Sequence, residues 1–507
     1  MIFDEQTFIH EIREKNSIII YGAGMVGGLL FKRIKNSGLD GNILCFAVSH
    51  RGIQTEYMGK PVEEISELIM YRKNSLVIVA ALPVLHQEIG DTLDKYGFRN
   101  IIYITKTLYD DLAQKYMDEF NSSVQLSYKQ IDVMMMASDN NPSSGAFLCL
   151  VELNVMLKKF GWATIVILPE YGNGEQELSK NGLDYLYVPS YHWCVKNNTA
   201  EQDRKSVDLE RNSTAIKRLE EIIEQYKVKI VHINTSYSYV GAEAAYSKNI
   251  PVIWHLREYI QMQEYNFFDS DFSYRLINRS AQIISVSHYI KNAYTQIDPI
   301  KTTVIYDGVD VDRYYKKRMI LQNPLQLSII VVGALFPLKG QEDIVNTLYV
   351  LYAQYKVSYD IQVKLVGSGD RDYIGYLRDL VSKYGLQKNV CFCGHHSSVE
   401  EMYWESDIAI MSSRGDAFGR TIVEAQLAGC FVIGAEAGAT TEIISPNESG
   451  VLYRPGNSDE LAKKLNDVME NKAEMRVIAA QGQKNALLNF TKEKNAEAIS
   501  KIYQDVL

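Results

Sequence analysis

Three things are scarce in this sequence, and each shortage excludes a class of protein. Cysteine is one, with 6 in 507 residues. Cys45, Cys149, Cys194, Cys391, Cys393 and Cys430 form no CxxC pair and lie mostly in apolar strand or helix patterns, so a disulfide scaffold and a zinc site are poor readings. Long apolar runs are also missing. The 46% hydrophobic content is broken up by charge, and no stretch approaches the roughly 20 residues of a membrane span. Met1 to Arg13 is polar and of mixed charge, unlike a secretory signal, so the expected location is the cytoplasm. The third shortage is positive charge. A net charge of −9 lacks the basic footprint that a phosphate backbone demands, which argues against nucleic acid as a partner.

What is present is a repeated alternation of strand and helix over a length that suggests about three domains. The first unit opens with Ser17-Ile18-Ile19-Ile20-Tyr21-Gly22-Ala23-Gly24-Met25-Val26-Gly27, a strand followed by GxGxxG and a helix. Gly22, Gly24 and Gly27 are therefore candidate nucleotide-binding glycines, or glycines that only allow tight strand–helix packing. The second strand, Ile43 to Val48, ends Ser49-His50-Arg51, where a dinucleotide site needs an acid for the ribose. NAD binding is expected to be weak, and this unit (1–128) is read as a recruitment or regulatory module without hydride transfer. The polar helix from Leu108 to Phe120 is read as a linker, and deletion up to about Lys129 is expected to leave the rest functional.

A second sheet starts at Ile131, where the breaker-rich loop Asn141-Pro142-Ser143-Ser144-Gly145 precedes a helix. Further strands run Thr164 to Leu168, Tyr185 to Val188, Ile230 to Asn234 and Val252 to His255, so that His255 is expected to close its strand at the same rim as Gly145. Aromatic residues Tyr265, Phe267, Phe268, Phe272 and Tyr274 crowd the stretch after it and suit acceptor stacking or, more simply, core burial. A third sheet opens at Ser328-Ile329-Ile330-Val331-Val332-Gly333, with Leu338-Lys339-Gly340 before a helix. A lysine there opposes the helix dipole unless an anion lies between them.

The stretch around which the third sheet is organised is Asp407 to Ala425, an apolar strand, a loop through Arg414-Gly415-Asp416-Ala417-Phe418-Gly419 and a helix containing Glu424. Ligands sit at the carboxyl ends of strands in such sheets, and a carboxylate can accept both hydrogens of a vicinal diol, so two acids framing this loop suit a molecule with two sugar rings. The block resembles the acid-x7-acid motif of the retaining GT-B glycosyltransferases of family 4, the group 1 glycosyl transferases, with Asp416 where most members carry Glu. The likeness extends over Ile131 to Leu507.

The resemblance implies an α/β fold in which a small Rossmann-like domain precedes the two Rossmann-like domains of GT-B. The acceptor domain is expected at 129–315, the nucleotide-sugar donor domain at 316–485, and a helix at 486–507 that crosses back. It implies His255, Lys339 and Asp416 as catalytic residues. Donor binding falls to Gly145, Lys339, Glu424 and the backbone of Gly438, Ala439 and Thr440, the last three pointing N–H groups at the phosphates. The substrates implied are a nucleotide diphosphate sugar and a glycan or lipid-linked glycan, with the protein peripheral at the inner membrane face and no cofactor required. Asp310-Val311-Asp312 looks like the DxD metal motif of another fold but reads as turn chemistry, and no metal is expected. Two departures stand out: Ala334 replaces the family's phosphate-binding arginine, for which Arg414 or Arg420 could compensate, and Asp307 replaces a common Asn. Alternative readings are a GT-B nucleotide sugar epimerase or sugar phosphorylase, and an inactive GT-B-like binding subunit.

Overall fold

Apolar runs such as Thr164–Leu168 and Phe431–Ala435 are buried at every position, as parallel strands covered on both faces must be. In the computed structural model, which describes residues 4–50, 55–81, 83–197, 209–323, 325–396 and 398–507, such strands assemble into three open sheets. Arg51 lies outside the described residues.

The first sheet runs, in spatial order, Lys60–Glu64, Ile43–Val48, Ile18–Tyr21, Leu76–Val79, Ile101–Tyr103, all parallel, with Glu56–Tyr57 antiparallel at one edge. The second is parallel throughout. It runs Thr302–Val304, Gln282–Ser285, Val252–Leu256, Ile230–Ile233, Val133–Met136, Thr164–Leu168, Tyr185–Tyr187. The third runs Val390–Gly394, Asp360–Val366, Gln326–Val332, Ile408–Met411, Phe431–Ala435, Val451–Tyr453. In each sheet the first parallel strand is central and the order reverses beside it, the topology that opens a crevice at the carboxyl ends. The short antiparallel pair Cys194–Lys196 and Tyr265–Phe267 was not legible in the sequence.

The chain joins the last two domains twice. After Val309 it enters the third sheet, and it returns at Thr491 into the helix Lys492–Val506, which packs on the helix Gly145–Lys159. Val309 and Thr491 pair side by side as a parallel bridge.

The first unit is not the detachable module expected from the sequence. The supposed linker is the helix Lys106–Ser123, whose Leu108, Leu112, Ala113 and Met117 are buried. Asn121 donates from Nδ2 to the Tyr187 carbonyl and accepts from the Tyr187 N–H, at 2.7 and 2.9 Å. One continuous apolar cluster runs from Phe8, Leu29 and Phe31 through Met117 to Phe147, Tyr187 and Tyr503. Deletion up to Lys129 would therefore strip apolar cover from the second domain as well as remove the first.

A polar knot sits at this junction. Buried Glu175 receives Lys32 Nζ at 2.5 Å, the Tyr116 hydroxyl at 3.2 Å and the Tyr187 hydroxyl. Glu175→Ala leaves the lysine and two phenols without their acceptor. It should destabilise the protein by about 3 kcal/mol in chemical denaturation, against less than about 0.5 kcal/mol for the exposed neighbour Gln176→Ala. Equal, small effects would show that the knot carries no weight.

Candidate functional site

The crevice of the second sheet opens beside Val133–Met136 and that of the third beside Gln326–Val332. Ser144 caps the helix Gly145–Lys159 by accepting from the Phe147 N–H. Gly145 is exposed at its start, and a Cβ built there would meet nothing within 4 Å. Backbone amides at this helix start are thus open to a ligand.

On the opposing domain the loop after Ile408–Met411 carries Asp416, and the helix it leads into, Arg420–Leu427, carries Glu424. Lys339 Nζ forms an ion pair with Asp416 Oδ1, so the anion beside this lysine is the loop's own acid. Gly438, at φ +58°, lies on the Asp416 backbone, where a Cβ would come within 2.5 Å of the Asp416 nitrogen. The Ala439 N–H donates to the Asp416 carbonyl at 3.0 Å and the Thr440 N–H to Ala437 at 3.3 Å. Of the three amides expected to face phosphate, that of Ala439 is instead spent on holding the two loops together and that of Thr440 on a turn within its own loop, which leaves Gly438. The arginines that could stand in for Ala334 are also engaged. Arg414 pairs with Asp343 at 2.5 Å and Glu342 at 2.9 Å, while the Ala334 carbonyl accepts from Gln341 Nε2.

Arg420 is largely covered, its side chain 14% exposed, and crosses the boundary. It donates to Glu152 at 2.8 Å, to the Gly308 carbonyl at 2.8 Å and to Cys149 Sγ at 3.3 Å. Cys149 and Glu152 lie one and two turns along the helix that Gly145 opens, so the acid loop and the glycine loop are brought together by this one side chain. One turn along its own helix, Glu424 Oε1 stands 3.7 Å from Arg420 Nε, and Glu424 Oε2 accepts from the Tyr403 hydroxyl at 3.4 Å. Burial pushes the Glu424 carboxyl above its ordinary pKa against the opposing pull of Arg420. Ser287 Oγ donates to the Ala417 carbonyl at 2.5 Å, and Glu442 accepts the N–H groups of His288 and Tyr289. The domains are therefore in contact along the loop.

His255 does not close its strand, which runs on through Leu256, and the ring is 0% exposed. It belongs to a buried network with His232, Arg257 and Tyr503. Arg257, not singled out from the sequence, makes a buried ion pair with Asp307 and donates to Asn234 Oδ1 at 2.9 Å. The acid at 307 thus gives the buried Arg257 a counter-charge that an Asn could not. Glu258 beside it accepts the Ser236 N–H at 2.6 Å and the Ser236 hydroxyl at 2.5 Å. Its pKa is pushed up to about 7, chiefly by burial. The run His-Leu-Arg-Glu was the signal for these residues, since two charges directly after a buried strand need partners.

Three other expectations resolve here. Phe267 is buried against Trp193, at 5.1 Å between ring centroids, and Tyr274, at 5.4 Å, with Trp193 stacked on Trp254. Phe267 is core, because its short strand closes over the tryptophans, while Tyr265, Phe268, Phe272 and Tyr274 are half-buried, so substituting Phe267 together with Phe268 tests folding before it tests acceptor capture. Asp310 caps the helix Val311–Tyr314 and pairs with Lys492 at 2.7 Å. In the first domain Gly22 and Gly27 are demanded by packing, since a Cβ at Gly27 would lie 2.0 Å from the Gly22 carbonyl oxygen, whereas Gly24 faces open space.

Two family domains match the sequence. Glycosyltransferase Family 4 covers residues 144–313 and Glycosyl transferases group 1 covers residues 317–485. The N-acetyl-alpha-D-glucosaminyl L-malate synthase of Bacillus anthracis is 24% identical over 46% of this chain and 61% of its own length. The lipopolysaccharide core mannosyltransferase LpsB of Rhizobium meliloti is 22% identical over 41% of this chain and 62% of its own. The chain thus spans about three fifths of the length of the curated relatives it matches. Among solved structures, Anabaena HepE in complex with UDP superposes with a TM-score of 0.61 at 22% identity, covering 74% of this chain and all of HepE. A glycosyltransferase of Rickettsia africae gives 0.62 at 22%, covering 75% and 99%. Among the described residues no helix is long and apolar enough to cross a membrane. With two open sheets of matching topology facing each other across the boundary and both family domains lying in order along them, this chain belongs to the group 1 glycosyl transferases and has the GT-B fold.

Proposed function

We propose that the protein is a retaining glycosyltransferase that moves a sugar from a nucleotide diphosphate sugar to a glycan acceptor in cell-surface polysaccharide synthesis, without a metal and at the inner face of the membrane. One observation carries the reading: Arg420 joins the helix opened by Gly145 to the helix bearing Glu424, so residues of both domains converge on one crevice. HepE is solved in complex with UDP and with UDP-glucose, which supports a nucleotide sugar as donor. The mannosyltransferase LpsB supports a surface polysaccharide as the destination.

In this reading the donor diphosphate displaces Asp416 as counter-ion of Lys339, and Asp416 turns to the hydroxyls of the transferred sugar. Gly438 N–H and the helix start at Gly145 supply the remaining phosphate contacts, so backbone dipoles do the work of the arginine absent at Ala334. Glu424 takes the ribose diol. The leaving phosphate accepts the acceptor's proton on the same face, and the protein contributes orientation and charge stabilisation. An epimerase or phosphorylase on the same fold would release altered or phosphorylated sugar without acceptor, which product analysis separates.

Lys339→Ala and Glu424→Ala should each lower kcat/KM by about 10²–10³-fold. Normal turnover by both folded variants would refute the assignment. Activity should persist in excess EDTA. Loss restored by a divalent cation would bring Asp310 and Asp312 back as ligands. Glu258 gives a third check, through pH. Its folded-state pKa of about 7 lies above the ordinary 4.5, so the folded protein holds this proton more tightly and its contribution to stability declines as pH rises between those values. Relative to Glu258→Gln, the wild type should lose on the order of 2–3 kcal/mol across that window. A difference that stays flat with pH would mean that the carboxyl ionises normally.

A further inference from the structure

The buried histidines of the acceptor domain form a chain that begins on the last helix. The Tyr503 hydroxyl lies 2.6 Å from His232 Nδ1, and His232 Nε2 lies 3.2 Å from His255 Nδ1. Arg257 Nη2 reaches the same His255 Nδ1 at 3.3 Å. His255 Nε2 is buried without any hydrogen-bond partner.

The chain has one self-consistent set of protons. A guanidinium only donates, so His255 Nδ1 must present its lone pair, because a hydrogen there would face the hydrogen on Arg257. His232 Nε2 must then donate to that lone pair, and the two long distances fit two donors sharing one acceptor. A neutral His232 that donates from Nε2 accepts at Nδ1, so the Tyr503 hydroxyl donates to it. His255, neutral with a bare Nδ1, carries its hydrogen on Nε2. Burial and the nearby Arg257 charge hold both rings neutral, with the His232 pKa pushed down to about 3 and that of His255 well below its ordinary value.

We propose that Tyr503, His232 and Arg257 together fix His255 as the Nε2–H tautomer, making it a dedicated hydrogen-bond donor to an oxygen of the transferred sugar and unable to serve as a base. Tyr503 and His232 are positioning residues. A buried N–H left unpaired in the free protein is an exception that calls for a ligand, and His255 lies next to Arg257, which directly follows the strand and whose partners Asn234 and Asp307 likewise follow the carboxyl ends of their strands. The identity of the accepting oxygen rests on the glycosyl-transfer reading. The tautomer does not.

The test is nitrogen NMR of the full-length protein labelled with 15N-histidine, with signals assigned through His232→Gln and His255→Gln. The expected result is a pyrrole-type Nε2 and a pyridine-type Nδ1 for His255, constant between about pH 5.5 and 8.5. This readout needs no substrate, so an inactive preparation would challenge the proposed function and leave the tautomer assignment standing. A pyridine-type Nε2, or protonation of the ring within that range, overturns the proposal. Tyr503→Phe should shift the His232 signals and lower kcat about five- to tenfold with little change in donor KM. Unchanged His232 signals in the folded variant would overturn the relay.

Discussion

A guanidinium cannot shed its charge, so burying one forces the surroundings to supply acceptors in fixed places. Arg420 imposes that constraint on this protein. Its acceptors come from Glu152 on the opposing domain's first helix and from the Gly308 carbonyl at the first domain crossing. The arginine therefore sets how the two domains face each other while belonging to the helix that bears Glu424. Arg257 plays the same part within one domain, where Asp307, Asn234 and His255 all turn toward it.

The sequence revealed the strands well because a buried parallel strand is written locally. Ile43–Val48 and Thr164–Leu168 coincide with their apolar runs, bounded by polar or breaker residues. The acid loop was legible for the same reason. The partnerships were not, since Arg420 with Glu152 and Arg414 with Asp343 join residues far apart in the chain, and no spacing announces which charge meets which. The same limit hid the partners of His255, since His232 and Tyr503 come from other elements and Tyr503 lies far along the chain. The sequence left Phe267 open between acceptor stacking and core because its strand partner, Cys194–Lys196, lies about seventy residues earlier.

The first domain teaches a related lesson about glycine. Its GxGxxG carries two glycines that the strand–turn–helix packing demands and one that packing leaves unexplained, so the motif alone does not separate architecture from binding. The helix read as a linker is amphipathic, and its apolar face had to be covered by something. The second domain covers it, and the three units share apolar surface where the sequence suggested separate beads.

The pairing of Val309 with Thr491 has a mechanical consequence. A single connecting segment would let two bodies swing and twist freely, whereas two segments zipped edge to edge behave as a leaf hinge with one rotational freedom and little torsion. Because Lys492, directly after the bridge, is anchored to Asp310, that axle is clamped at its end. Any swing of the sugar-nucleotide half against the other must trace one arc, and the contacts made by Arg420 and Glu442 are detents along it.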